Sequence, residues 1–388
     1  MDISQIINEL GEDRELYFNA VSPPIYQTSN FAYKTVDALA NAFENEFDVF
    51  LYSRGNNPTV DILRKKLAAL DGAEDCLVFN NGAAATTAAV LSHMKAGDHA
   101  VCVRNPYTWV SKLFDNILKR YGVEVSYIDG REIANWEEAI RPNTTFFYLE
   151  SPNSWDFALQ PIAEVAALAK KHQITTLIDN SYCTPLYQRP IEMGIDMAMQ
   201  TATKYIGGHS DTLGGVLSGS GAAIRKIFDS ELMTLGSGIQ PFNAWMLIRG
   251  LRTLPARLER IHHTTEKVIQ FLLQRPEVER IIFPLHPSFP QYELAKQQMR
   301  GGAGLLTMVL ATRERENIVR FCESLQHIMM AVSWGGHESL VIPKCAGIPK
   351  AEFNGDDQEH RYVRLYCGLE EPDYLINDLQ QAFDKMKE

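Results

Sequence analysis

Lys204 stands in "QTATKYIGGHSDT", residues 200–212, between the hydroxyl residues Thr201 and Thr203 and the pair Gly207-Gly208. A lysine amine becomes a nucleophile where burial and nearby positive charge disfavour its ammonium form. The two flanking hydroxyls could donate to a phosphate. A solvated lysine at a loop mouth is the alternative, and the following Gly-Gly, which lets backbone pass closely, weighs against it. Asp179, in "TTLIDNS", ends an apolar and β-branched run. A carboxylate at a buried strand end is costly unless it meets a cation, so Asp179 is either the partner of a protonated heterocyclic nitrogen or a turn residue. In "NNGAAATTAAV" a turn at Gly82 opens a small-residue helix whose first N–H groups suit a phosphate. A plain close-packed alanine helix would have the same sequence. Tyr107, after Pro106, could cover a planar ligand or belong to a core.

Taken together, the four features describe one ligand: a planar, phosphate-bearing nitrogen heterocycle that forms an imine with lysine. That ligand is pyridoxal 5′-phosphate, which supplies an electron sink while the protein supplies the lysine and the acidic partner of the ring nitrogen.

The elements that must position these residues are short apolar runs alternating with helical patterns. "CLVFNN" (76–81), "HAVCVRN" (99–105), "VEVSYID" (123–129), "TTFFYLES" (144–151) and "ITTLIDNS" (174–181) read as strands. "TWVSKLFDNILKRYG" and "IAEVAALAKKH" read as helices between them. Such alternation predicts a parallel sheet covered on both faces, with ligands at the carboxyl ends of its strands. Residues 1–50 read as an extended arm, 51–237 as a large cofactor-binding domain, and 238–388 as a smaller α/β domain. The smaller domain opens on a long helical stretch interrupted at Pro255 and carries strands at "VERIIFP", "GLLTMVLA" and "RYVRLYCG".

Composition narrows the class. Hydrophobic residues make up 45% and charged residues 22% of the 388, typical of a soluble globular protein. The net charge of −11 leaves no basic surplus for nucleic acid or an anionic membrane. No apolar window has the length of a membrane span, and the start has no secretory pattern. The six cysteines are scattered without a CxxC pair, which predicts a reduced, cytoplasmic protein. No His/Cys pattern suggests a metal.

From "VSPPIYQTSNF" to "VRLYCGLEEPDYLINDL" the chain resembles the cysteine/methionine-metabolism family of PLP-dependent enzymes, within fold-type I (aspartate aminotransferase-like). "TATKYIGGHSD" is similar to the family's PLP-lysine signature, "LYSRGNNPT" to its Tyr-x-Arg loop and "IDNSYCTP" to its Asp strand. The resemblance implies a large domain with a mostly parallel seven-stranded sheet between helices, and a smaller C-terminal α/β domain. It implies that Lys204 carries the cofactor and acts as catalytic base, Asp179 pairs with the pyridine nitrogen, and Tyr107 stacks on the ring and can aid proton transfer. Gly82, Ala83, Thr201 and Thr203 would hold the phosphate, with Ser154 also beside the cofactor. Tyr52 and Arg54 would reach the phosphate of a neighbouring subunit, so the site needs at least a dimer, and the family usually forms a tetramer. Arg364 would grip the substrate α-carboxylate, with Ser333 and Trp334 lining the substrate side.

Three details lean towards members that act at Cβ, bacterial cystathionine β-lyases. Trp334 stands where γ-acting members have Leu, "GAAA" (82–85) replaces Gly-Met-Ala-Ala, and Ser154 replaces Asn. Val332 stands where cystathionine γ-lyases and γ-synthases have Glu; methionine γ-lyases can also carry Val there, but with "SLGD" following it rather than "SWGG". The expected activity is α,β-elimination of cystathionine or a related sulfur amino acid. The alternatives are a γ-acting relative and a PLP-binding regulatory protein with vestigial catalysis. Two departures from the family are Asn81, where a small residue is usual, and the missing Gly-Gly after Tyr107.

Overall fold

The computed structural model describes residues Met1–Met386 and divides into two compact units. Unit 1 comprises Met1–Ser151, Leu159–Gly207 and Asp211–Arg252; unit 2 comprises Pro152–Ala158, Gly208–Ser210 and the chain from Thr253 onward. The boundary expected at residue 237 therefore falls inside unit 1. No break in structure marks the division, because a single helix, Pro241–Leu272, carries the chain across it. That helix also passes through Pro255 rather than stopping there. Proline costs a turn of helix one hydrogen bond, and full burial of Leu247, Leu251, Leu254 and Ile261 offsets the loss.

Unit 1 is built on seven strands: β1 (Asp75–Phe79), β2 (His99–Val103), β3 (Glu124–Ile128), β4 (Thr144–Glu150), β5 (Thr175–Asp179), β6 (Met197–Thr201) and β7 (Gly215–Gly219). Their order in the sheet is β1-β7-β6-β5-β4-β2-β3. Strands β2 to β6 pair in parallel, whereas β7 pairs antiparallel with both β1 and β6. Two strands that both oppose β7 run the same way, so the carboxyl ends of β1, β2, β4, β5 and β6 lie along one edge. The near-continuous apolar runs follow from burial on both faces: Val101, Phe146, Phe147, Leu149, Ile178 and Leu217 are all fully buried. Each such side chain contributes roughly 1.5–3 kcal/mol of burial free energy.

Three sequence expectations change here. The helix read over Thr108–Gly122 is a composite of α-helix (Thr108–Lys112), π-helix (Leu113–Ile117) and 3-10 helix (Leu118–Tyr121). Val110, Leu113, Phe114 and Leu118 are all buried along it. The first fifty residues, read as extended, contain helices at Ile3–Asn8 and Val36–Glu44. The first of these is fixed by Lys66, a fully buried lysine whose Nζ donates to the carbonyls of Ile6 and Ile7 and pairs with Glu12 at 3.0 Å. Strands β6 and β7 went unread, because Met- and Gly-rich runs carry little β signal.

Unit 2 holds a second sheet in the order β10-β11-β12-β9-β8. Its strands are β8 (Val278–Ile282), β9 (Leu305–Leu310), β10 (Met329–Met330), β11 (Leu340–Pro343) and β12 (Tyr362–Tyr366). Helices Arg315–Ser324 and Pro372–Met386 cover it, joined by stacking of Phe321 on Phe383 at 4.5 Å. Among the described residues no helix is long and apolar enough to cross a membrane.

Candidate active site

The sheet register of unit 1 brings three of the sequence-predicted residues together. Gly215, first in β7, is the partner of Phe79 at the end of β1 and of Thr201 at the end of β6. The helix Gly82–His93 begins three residues beyond Phe79. Asn81 caps it, its side-chain oxygen accepting the Ala84 N–H at 2.8 Å. This is the physical sense of the departure at Asn81: the cap occupies the third N–H and leaves those of Gly82 and Ala83 without an intrahelical acceptor. A Cβ on Gly82 would stand 2.8 Å from the Cβ of Thr201, and one on Gly215 would stand 2.2 Å from the Asn81 carbonyl oxygen. The small residues are thus demanded by the close approach of helix start and strand end. Thr203 lies in the turn after β6, its hydroxyl accepting the Gly214 N–H at 3.2 Å.

Asp179 and Lys204 occupy the same strand-end edge. Asp179 is the last residue of β5 and is buried. Burial holds its carboxyl above the ordinary value, against lowering by hydrogen bonds from Ser181 and by the charge of Lys204. The Ser181 N–H donates to Asp179 at 2.9 Å, and the Ser181 hydroxyl accepts the Thr201 N–H at 2.7 Å. Lys204 is half-buried in the turn that follows Thr201, and its N–H reaches the Thr201 carbonyl at 3.3 Å.

Tyr107 leaves β2 through a turn in which Asn105 takes a left-handed conformation, φ 54°. Its N–H donates to the Glu150 carboxylate at 2.6 Å, and Glu150 is the last residue of β4, directly across from Asp179. Burial, then the charges of Asp179 and Glu150, push the Tyr107 hydroxyl up from its ordinary value. Its ring remains about half exposed. Glu150 and Ser181 are the residues that sequence reasoning missed. Glu150 ends a buried strand in a carboxylate, as Asp179 does, whereas Ser181 carries no such local signal.

Tyr52 and Arg54 sit together in unit 1, with the Arg54 guanidinium 5.1 Å from the Tyr52 ring centre. They line a cavity of about 330 Å³ with Gln27, Gly238 and Gln240. In unit 2, Arg364 on β12 is buried and donates through Nη1 to the Ser154 carbonyl at 3.0 Å and hydroxyl at 3.1 Å. Ser154, expected beside the cofactor, thus has its contact with Arg364. Ser333 is held at φ 87° and Gly335 at φ 89°, between β10 and β11. Such a backbone persists in a non-glycine residue only where its surroundings over-determine it; here the Tyr366 hydroxyl donates to the Gly336 carbonyl at 2.7 Å. Trp334 follows, half-buried.

Over residues 4–384 the sequence matches the family described as Cys/Met metabolism PLP-dependent enzyme. The chain belongs to this family. It is 35% identical to the L-methionine gamma-lyase of Treponema denticola over 95% of this chain and 94% of that protein. Identity to a putative cystathionine beta-lyase of Rhizobium johnstonii is 31%, covering 98% and 96%. The crystal structure of metB from Corynebacterium glutamicum matches with a TM-score of 0.90 and 29% identity, covering 99% of this chain and 98% of that one. The fold is that of fold-type I PLP-dependent enzymes, and the cofactor is pyridoxal 5′-phosphate.

The residues present fit that group. A phosphate needs N–H donors and space, and a Cβ at Gly82 or Gly215 would fill the place where helix start and Thr201 converge. A protonated ring nitrogen needs a carboxylate, and Asp179 is a buried one whose raised affinity for a proton a cation would relieve. Gly215→Ala is therefore expected to destabilise the protein by about 1–3 kcal/mol, since the added methyl meets backbone that cannot yield. It should also release cofactor on dialysis. Denaturant titration and cofactor absorbance check both, and wild-type retention of cofactor would contradict the cradle.

Proposed function

We propose that this chain is a carbon–sulfur lyase that carries out α,β-elimination on L-cystathionine or a related sulfur amino acid such as cystine, taking up one water and giving a thiol, pyruvate and ammonia. The observation that carries this reading is the loop "VSWGG". Val332 is 81% exposed and apolar, so no carboxylate stands there to hold a distal amino group in the γ orientation. Trp334 follows where γ-acting members have Leu.

When bound, pyridoxal 5′-phosphate supplies an electron sink for the bond broken at Cα. Lys204 would attach it, Gly82, Ala83, Thr201 and Thr203 would hold its phosphate, Asp179 would pair with its ring nitrogen and Tyr107 would cover its ring. Arg364 binds the substrate α-carboxylate through its fork of N–H donors, a task for which lysine is geometrically poorer. Ser154 keeps the Arg364 guanidinium in place, and Ser333 and Trp334 line the substrate. Once the substrate amine has displaced it from the cofactor, Lys204 Nζ is a free amine that can take the Cα proton as general base. A thiolate leaves Cβ and receives a proton from Lys204 or from the Tyr107 hydroxyl. Tyr52 and Arg54 serve the phosphate of a neighbouring subunit in a homotetramer working in the cytoplasm.

Product analysis tests the reading. Incubated with L-cystathionine, the enzyme is expected to release pyruvate and homocysteine, and 2-oxobutyrate as the main keto acid would refute β-action. The similarity to a methionine γ-lyase favours γ-elimination as the second reading, and that outcome would establish it.

A further inference from the structure

The carboxylate-binding role of Arg364 leaves open what fixes its guanidinium plane. Arg364 and Thr307 are direct cross-strand partners on β12 and β9. Both reach the same short segment: Arg364 donates to Ser154, and the Thr307 hydroxyl donates to the carbonyl of Trp155 at 2.8 Å. The segment is folded on itself, with the Asn153 N–H donating to the Ala158 carbonyl and the Ala158 N–H to the Asp156 carboxylate. Phe157 is fully buried in a left-handed conformation, φ 54°. On this platform the half-buried Trp155 ring lies 4.8 Å from the guanidinium carbon of Arg364.

A second cation faces the same ring. Lys344 Nζ is 5.6 Å from the centre of Trp155 and 5.3 Å from that of Tyr362, and its charge is paired with Glu359. Two cations against one indole would repel each other if both were bare. Glu359 neutralises the outer one, which leaves the π-surface to Arg364.

Resting on the proposed role of Arg364, we propose that Trp155 is a positioning residue for substrate carboxylate recognition. The indole holds the guanidinium plane by stacking while Ser154 fixes Nη1, so that the fork is oriented before a carboxylate arrives. Trp155 acts through Arg364 and does not itself bind the substrate. Trp is the best aromatic partner for a cation, and loss of a partly desolvated guanidinium–indole contact corresponds to a roughly tenfold change in binding.

The test uses the holoenzyme and two probes, propanoate and propanamide, titrated calorimetrically. Wild type is expected to bind propanoate and not the amide, and Arg364→Gln to lose propanoate binding. Trp155→Leu should weaken propanoate about tenfold, and Trp155→Phe, which keeps a smaller ring, about threefold. KM for the sulfur amino acid should rise in the same order while kcat stays within about twofold. Wild-type propanoate affinity in both Trp155 variants, with binding lost in Arg364→Gln, would overturn the proposal and leave Arg364 in its role. If Arg364→Gln binds propanoate as wild type does, the carboxylate reading of Arg364 falls first and this one with it. Should Trp155→Leu fail to fold, Trp155→Phe decides: no weakening there overturns the proposal.

Discussion

Lys204→Ala is expected to lose both the long-wavelength absorption of the bound cofactor and turnover, the latter by at least ~10³-fold, as removal of a proton-transferring and covalent-bonding group commands. The expectation rests on where the turn after β6 puts the side chain. Its charge lowers the proton affinity of Asp179, so the two groups share one electrostatic neighbourhood although they leave different strands. The same variant should still retain cofactor without the covalent bond. Gly82, Thr201 and Gly215 are untouched, and the close approach that shapes the cradle involves no lysine atom. Absorbance spectra before and after dialysis, with single-turnover kinetics, separate the two effects. Full activity in this variant would end the assignment of Lys204.

Cradle and ring-nitrogen partner are also tied to each other. Ser181 donates its N–H to Asp179 and accepts the Thr201 N–H at its hydroxyl, so one residue joins the end of β5 to the end of β6. Glu150 does the equivalent between β4 and the turn carrying Tyr107. Asp179 and Tyr107 are therefore each braced by a neighbour at a strand end. Preorganisation of this kind is what lets a buried carboxylate keep its position without paying reorganisation at the moment of reaction.

How much of this the sequence discloses depends on the range of the interaction. Asp179 ends an apolar run, Gly82 opens a small-residue helix and Lys204 stands between two threonines and a glycine pair, and these are local patterns. Strands β1 to β5 are legible for the same reason. Gly215 is not, since its need to be glycine comes from Asn81, more than a hundred residues earlier, reached only once β7 inserts between β1 and β6. Ser181 looks like an ordinary polar residue after a strand until the register sets it beside Thr201, and only the register sets the carboxylate of Glu150 beside Tyr107. The brace from Ser154 and Trp155 to Arg364 spans more than two hundred residues of chain. No periodicity encodes such a pairing.

One long-range contact carries a large pH effect. Asp71, fully buried at the end of the helix Pro58–Asp71, accepts from Gln200 Nε2 at 2.6 Å and from the Ser218 hydroxyl at 2.5 Å. Burial pushes its carboxyl up to about 7, against lowering by Ser218, Gln200 and the charge of Arg189. Because the folded value lies above the unfolded one, the folded protein holds the extra proton. Stability from this group is complete below about pH 4 and is lost as pH rises through about 7. The two values differ by roughly 3, which at 1.36 kcal/mol each amounts to on the order of 4 kcal/mol. Asparagine matches the neutral acid in shape, accepting from Gln200 and donating to the Ser218 oxygen. Asp71→Asn is therefore expected to equal wild type at about pH 4, to pull ahead steadily above it, and to exceed it by several kcal/mol at pH 8. Gln200 precedes Thr201 in β6, so the gain should extend to cofactor retention at alkaline pH. Denaturant midpoints of the two holoenzymes across pH 5–8 decide the matter, and curves that stay parallel over that range would show that Asp71 is already ionised in the fold.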